Sequence, residues 1–382
     1  MITLKAICGL LCALVLASNL WSMSRWNETR GVYDDVCYLR QAHLFQRFGL
    51  SGFDTDISRD DDHYLTSKLK EIGFPTWNDV ATAPCHNPMP AIKKFVIQYP
   101  PGTGLVLALF PQGHQAVSLY VLATIAVFGV ALLAISSARS APMTLLAGAL
   151  GCLAVYLMIN PSKASYSLAP TMVVCALAGF LTPYWLKERN HDYKIWLTLL
   201  LGFLFGLLVD FRLPNLFLSA GYFLFLFVAL VSSRQPSIIL QGALFAFAFL
   251  VGMAPTLVSN AINAGSPLAT TYGGPDVVPP EFSLGVVRQY LADTQFVLLA
   301  LAIAGTVHLM RVGTESTRRV ALVTAINLAV NLAFFLSHPV FTPYYTVPIA
   351  MLSLWSLLFA WLMQDAEAVD GRLAGQPAHE RS

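Results

Sequence analysis

Charge is what this chain has little of: 21 acidic and 23 basic residues in 382, or 12% charged, against 56% hydrophobic. With a mean hydropathy of +0.62, that balance excludes an ordinary soluble globular domain, in which about a quarter of the residues are charged. The basic residues do not gather into a patch, so the net charge of +2 gives no footing for nucleic acid. No Gly-x-Gly-x-x-Gly follows a strand and there is no Walker-type loop, which removes the usual nucleotide-binding motifs. Ten-residue alternation of the barrel type is missing as well. So are internal repeats and matching Gly/Pro-broken spans, which weighs against a secondary transporter.

What is present is a series of long apolar runs, many close to the 18–25 residues that cross about 30 Å of hydrocarbon. Backbone groups in lipid must be satisfied within their own segment, so the runs are expected to be helices. They are Leu4–Trp21, Gln115–Ser137, Met143–Asn160, Tyr166–Leu186, Ile195–Val209, Leu213–Val231, Ile238–Ser259, Thr294–Met310, Val320–Ser337 and Tyr344–Met363. The expected fold is therefore an all-α polytopic membrane domain of about ten transmembrane helices over residues 1–363. A cleaved leader is the other reading of the first run, but its single Lys5 makes a weak n-region, so a retained span is expected. Short-loop charge sets the orientation. With both termini cytoplasmic, the cytoplasmic loops hold residues such as Arg139, Lys187, Lys194, Arg311, Arg318 and Arg319. The opposite short loops hold only Lys163, Arg212 and Arg288. Residues 23–112 then form a long first extracytoplasmic loop with interfacial helices, among them the short apolar piece Gly102–Phe110, and residues 260–293 form a second. Residues 364–382 are expected to be a disordered cytoplasmic tail.

Several polar clusters could carry chemistry. Asp34 and Asp35, just beyond the first span, suit a general base or a cation site, or simply a helix cap. Asp60-Asp61-Asp62-His63 offers metal ligands together with His43 and His86. The spacing matches no zinc pattern, and acidic loop runs are commonly just solvated. Tyr99-Pro100-Pro101-Gly102 suits the start of a helix, whose free N–H groups would accept a phosphate, or a plain turn. Arg212, at the outer end of a span, is costly there unless it is paired with Asp210 or binds a phosphate. Cys8, Cys12, Cys152 and Cys175 lie in apolar runs and read as small hydrophobes, whereas Cys37 and Cys85 share the polar segment. In an oxidising compartment those two could form a disulfide; spacing alone leaves this open.

The order of these pieces resembles the GT-C superfamily of multi-span glycosyltransferases, which includes protein mannosyltransferases and lipid A aminoarabinose transferases. An acidic pair follows the first span and a Tyr-Pro-Pro-Gly closes the loop. Asn260 with Gly265-Ser266-Pro267 is similar to an Asn…Gly-Ser-Pro turn of bacterial members, with Ala264 in place of the usual aromatic. Phe341–Pro348 is similar to their late Arg-Tyr-…-Pro segment, with the Arg missing.

The resemblance implies transfer of a sugar, with inversion, from a polyprenyl-phosphate donor to an extracytoplasmic acceptor such as a glycolipid, lipopolysaccharide or surface polysaccharide. It places the enzyme in a bacterial inner membrane, acting on the periplasmic face. Asp34 is then the expected catalytic base and Asp35 the reserve. Arg212 leads the donor-phosphate candidates, followed by Lys93, Lys163, Tyr99 and Tyr345. His63, Asn260 and Tyr344 fall on the acceptor side. No cofactor is required, although a divalent cation is compatible. A flippase or transporter for lipid-linked saccharides, or a non-catalytic assembly subunit, is the competing reading. The former should place ionisable groups deep inside several spans, and these are scarce here.

Overall fold

Ten apolar stretches separated by polar turns should give helices broken where proline, glycine or charge interrupts them, and the computed structural model is built that way. It describes residues 1–28, 33, 35–160, 165–188, 190–233, 235–272, 280–337 and 341–374. The first helix, α1 (Ile2–Met23), leads into a loop layer. This layer contains α2 (Asp35–Phe48), α3 (Tyr64–Glu71), the strands β1 (His86–Met89) and β2 (Lys94–Ile97), and α4 (Gly102–Leu107). The remaining chain is helical: α5 (Gln115–Ser137), α6 (Ala141–Leu157), α7 (Leu168–Lys187), α8 (His191–Phe211) and α9 (Ala220–Ser233). After these come α10 (Pro236–Gly252), α11 (Ala254–Ala264), α12 (Leu284–Ala292), α13 (Phe296–Val312), α14 (Glu315–Leu336) and α15 (Val347–Ala374). Local caps mark several starts: Ser140 accepts from the Met143 N–H ahead of α6, and Asn190 accepts from the Asp192 and Tyr193 N–H groups ahead of α8.

Among the described residues, seven helices are long and apolar enough to cross a membrane, and up to nine if two bent pairs each count as one span. The pairs are α10–α11, bent by 54°, and α12–α13, bent by 86°. The difference from ten is α6, whose 17 residues fall short of the roughly 20 needed for a full crossing. Two further features depart from expectation. The loop layer is not purely helical: β1 and β2 pair antiparallel, with His86 opposite Ile97. Strands of four residues are too short to show an alternating pattern. And α15 continues to Ala374, past the expected boundary at 363. Asp365 accepts from the Arg139 N–H at 3.1 Å, and Glu367 pairs with Lys187. Residues 364–374 are thus helical, and 375–382 lie outside the described residues.

Helices in lipid gain nothing from hydrophobic contact with each other, so close packing needs small residues. Gly202 and Gly206, four apart on α8, supply it. A Cβ on Gly202 would lie 2.5 Å from the Phe245 carbonyl oxygen of α10, and one on Gly206 would overlap the Phe249 carbonyl. The α7 and α15 helices sit deepest, with 78% and 83% of their apolar windows buried, against 22% for α1. The first helix still packs inward: Asn19 Nδ2 donates to the Val155 carbonyl of α6 at 2.6 Å.

Arg40 holds the loop layer together. It is fully buried and donates to the Thr55 and Asp56 carbonyls at 2.8 Å each and to His86 Nε2 at 3.1 Å. A disulfide between Cys37 and Cys85, 48 residues apart, ties the hairpin to α2. In the chain-entropy model a loop of that size is worth about 4 kcal/mol.

A Gly206→Val substitution should destabilise the bundle by about 1–3 kcal/mol through overpacking against α10. Gly242→Ala, whose Cβ would meet nothing within 4 Å, should leave thermal unfolding in detergent unchanged or slightly raised. Equal melting of both variants and the unsubstituted protein would contradict the packing assigned to α8.

Candidate functional site

Arg212 ends α8. Its backbone is extended (φ −162°, ψ 125°) and Pro214 stands two residues on, so the helix stops there with the side chain at its C-terminal end. The guanidinium carbon lies 4.3 Å from the centroid of the Tyr345 ring and 4.9 Å from that of Tyr344. A 3-10 turn, Pro343–Tyr345, just ahead of α15 presents the two rings edge-on to each other. Cation–π contacts of this kind contribute about 0.5–2 kcal/mol each. They soften the charge without neutralising it. Among the described residues no carboxylate comes within 4 Å of Arg212.

The local Asp210–Arg212 pair does not form. Asp210 is 1% exposed and turns toward α11, where its Oδ1 accepts from the Thr256 N–H at 2.9 Å and from the Thr256 hydroxyl. The rings of Tyr345 and Tyr344 meet the guanidinium instead. Tyr38 of α2 stacks on Tyr99 at 5.1 Å, and Tyr99 meets Tyr272 at 5.9 Å. The two loop-layer tyrosines thus form one aromatic row with Tyr272.

An open cavity of about 140 Å³ adjoins it, lined by Leu213, Tyr272, one face of α11 and the segment Pro267–Thr271. Asn260 lies there, its Nδ2 reaching the Pro267 carbonyl only at 3.4 Å.

The acidic pair divides. Asp34 and Lys163 lie outside the described residues. Asp35, 2% exposed, opens α2, and its Oδ1 accepts from the Ser165 hydroxyl and the Tyr166 N–H, each at 2.9 Å. It therefore fastens the start of α2 to the start of α7. The other candidates stand apart. Lys93 is exposed in the β1–β2 turn at φ 56°, and no hydrogen bond or ion pair joins it to Arg212 or the tyrosines. His63 is exposed at φ 59°, preceding α3.

The acidic run lies against basic side chains: Asp61 pairs with Arg47, Asp62 lies 3.3 Å from Arg47 and is hydrogen-bonded to His43 at 2.6 Å, and Asp60 is 3.9 Å from Arg40. Among the described residues, one group of donors comes within metal-binding reach: Cys37, Cys85 and His86. The sulfurs are bonded to each other. The imidazole donates from Nδ1 to the Pro84 carbonyl at 2.8 Å and accepts from Arg40 at Nε2. Those donors are already committed.

Tyr-Pro-Pro-Gly performs a packing task. A Cβ on Gly102 would lie 2.7 Å from Asp210 Cβ, and one on Gly104 would lie 2.9 Å from Gln41 Oε1. Thr103 donates to the Phe211 carbonyl at 3.3 Å. The glycines let the six-residue α4 sit directly on α2 and α8.

Two residues escape a sequence reading. Asn263 is fully buried. Its Oδ1 accepts from the Thr55 N–H at 3.0 Å and its Nδ2 donates to the Phe53 carbonyl at 2.7 Å, so it, and not Asn260, joins α11 to the loop layer. Glu28 is buried too, accepting from the Gln115 N–H at 3.1 Å while pairing with Lys68 at 3.2 Å. A lone Glu in a polar segment carries no sequence signal; for Asn263 the helical spacing from Ser259 was the available hint.

No protein-family model matches this chain, and no curated protein matches it in sequence.

Burial, followed by the charge of Arg40, lowers the His86 pKa from 6.5 to about 3. The unfolded chain therefore takes up a proton below about pH 6.5 that the folded chain refuses until about pH 3. Stability should fall as pH drops through that window, by at most about 1.4 kcal/mol per pH unit from this residue. Unfolding measured from pH 7 to 4 should show a shallower slope in His86→Asn; an identical slope would remove His86 as the source.

Proposed function

We propose that this chain is an integral membrane glycosyltransferase moving a sugar from a polyprenyl-phosphate donor to an acceptor hydroxyl on the extracytoplasmic face. The observation that carries the reading is Arg212, a half-buried guanidinium at the outer end of a membrane-type helix, ringed by tyrosines and paired with no carboxylate among the described residues. A cation in that position is costly unless it is used. Its planar fork suits a phosphate oxygen pair, and phenols add donors for the remaining oxygens. The Cys37–Cys85 bond supports an oxidising compartment for the loop layer, as on the periplasmic side of a bacterial inner membrane.

The chemistry needs one base, one stabilised leaving group and exclusion of water. The acceptor oxygen bonds to the anomeric carbon as the bond from that carbon to the phosphate oxygen breaks. The electron pair leaves with the lipid phosphate, whose growing charge Arg212 meets, and the acceptor proton passes to a carboxylate. Displacement from the opposite side inverts the anomeric centre. Because Asp35 is engaged by Ser165 and Tyr166, the base in this reading is Asp34, with Asp35 the anchor of α2. Tyr345, Tyr344 and Tyr99 belong to the phosphate pocket. Lys93 and His63, being exposed and apart, are left out of the site. Glycolipid, lipopolysaccharide and surface polysaccharide are the acceptor classes in view.

The test is sugar transfer by purified protein in nanodiscs, using polyprenyl-phosphate sugars and a glycolipid extract. Asp34→Asn should lower kcat by about 10²–10⁴-fold, the usual contribution of a general base, with donor binding kept. Arg212→Gln should weaken donor binding and slow turnover together, and Arg212→Lys should recover part of both. Asp35→Asn should show chiefly a lowered melting temperature. Wild-type turnover in Asp34→Asn and Arg212→Gln would overturn the assignment. No transfer by the unsubstituted protein with any donor would bring forward the transporter and assembly-subunit readings.

A further inference from the structure

The bent pair α12–α13 joins two helices of different character. α13 carries no acidic residue, lysine or arginine before Arg311, and Phe296, Val297 and Leu301 are exposed along its outside. α12 meets it at 86°, so if α13 crosses the bilayer, α12 runs along the membrane plane. It does not prolong the span into hydrocarbon. Glu281, Arg288, Gln289 and Asp293 lie in or beside its nine residues, and ionisable groups there would be costly.

Around its axis α12 divides three ways. Val286 and Tyr290, four apart, are buried. Leu284, Arg288 and Leu291, spaced i, i+4 and i+7, share a second face. Its two leucines are 57% and 54% exposed, and Phe282, just ahead of the helix, is 69% exposed. Gly285 and Gln289 form the third edge, exposed and without apolar bulk. One protein face, one apolar face and one polar edge suit the boundary where protein, acyl chains and water meet. Arg288 suits it too: its stem lies along acyl carbons while the guanidinium reaches the phosphates of the headgroups. The apolar face continues the exposed side of α13, which is where lipid covers a membrane-type helix.

The buried face leads to Arg212. The Tyr290 ring meets the Phe341 ring edge-on at 4.8 Å, and its Oη lies 3.4 Å from both the N–H and the carbonyl of Thr342. That same carbonyl accepts from the Tyr345 N–H at 3.0 Å, and the Tyr345 ring covers Arg212 at 4.3 Å. Ahead of α12, the Glu281 N–H donates to the Ser337 carbonyl at 2.8 Å, which fastens it to the end of α14.

We infer that α12 is a membrane-surface helix, seated on the phospholipid of its own bilayer by Phe282, Leu284 and Leu291, and that through Tyr290 it holds the Tyr344–Tyr345 turn over Arg212. Tyr290 is then a positioning residue, acting on the cation through Thr342 and Tyr345. Glu281 and Asp293 offset Arg288, so the seat rests on apolar contact and not on the charge of the lipid. The inference is independent of what Arg212 binds.

The test uses the full chain in nanodiscs of phosphatidylcholine, with and without phosphatidylglycerol. p-Benzoylphenylalanine is placed in turn at Leu284, Leu291 and Gln289, all exposed positions that a folded chain tolerates, and irradiated. Intact mass should show a phospholipid adduct from Leu284 and Leu291 in both lipid mixtures and none above background from Gln289. No adduct from the two leucine positions, or an equal one from Gln289, would overturn the lipid seat. Adducts that need phosphatidylglycerol would overturn its apolar basis. The link to the cation is read from the 19F resonance of 3-fluorotyrosine at position 345. Tyr290→Ala and the double variant Leu284→Asp, Leu291→Asp should each move or broaden that resonance, while Gln289→Asp, an equal charge on the polar edge, should leave it in place. A resonance unmoved in both variants, or moved equally by Gln289→Asp, would overturn the coupling.

Discussion

The junction on which the rest depends is the close approach of α4 to α2 and α8 through Gly102 and Gly104. One glycine clears the Asp210 backbone and the other clears Gln41, so a six-residue helix seats the whole loop layer on the membrane-type bundle. Gln41 answers by donating to the Tyr99 carbonyl at 2.9 Å. That contact sets Tyr99 against Tyr38 on one side and Tyr272 on the other. A side chain at either glycine would lift the layer away from α8 and with it the tyrosines from Arg212.

The two arginines of this region differ in how their charge is met. Arg40 is entirely enclosed, and burial lowers its pKa to about 10, which still leaves it cationic at neutral pH. Two carbonyls, an imidazole and a carboxylate surround it, so it holds the loop and offers nothing to a ligand. Arg212 instead meets the rings of Tyr344 and Tyr345, has no carboxylate within 4 Å among the described residues, and is only partly buried. A buried charge without counter-charge is tolerated where something else completes it. The acidic run at 60–62 is the mirror case, since Arg47 and Arg40 lie against it and His43 is hydrogen-bonded to Asp62.

The apolar helices were legible from sequence because lipid leaves backbone polar groups no partner but their own helix, and the ten runs fall where helices stand. Boundaries set by tertiary contact were not. The end of α15 is carried past the apolar run by Asp365 and Glu367 meeting residues at the ends of α5 and α7, a pairing that no local pattern announces. At the site, Arg212, Tyr99, Tyr344 and Tyr345 each stood out alone, yet nothing local encodes that an arginine and two tyrosines more than 130 positions apart will touch. Asn260 and Asn263 show the limit most sharply. They lie within one turn of the same helix; the turn motif draws attention to the first, and only packing reveals that the second carries the structural bonds. Asp35 is similar: its residue type fits a base or a cap, and only packing reveals that Ser165 and Tyr166 donate to it.

The order in which the chain is made gives the Tyr344–Tyr345 turn one more meaning. Arg212 leaves the ribosome long before those rings, which immediately precede the final helix, α15. At every earlier stage of synthesis the guanidinium is without these two rings, which arrive together with α15 as it packs against α7. A chain that stalls before α15 lacks both rings, so the aromatic cover of Arg212 is completed only as α15 takes its place.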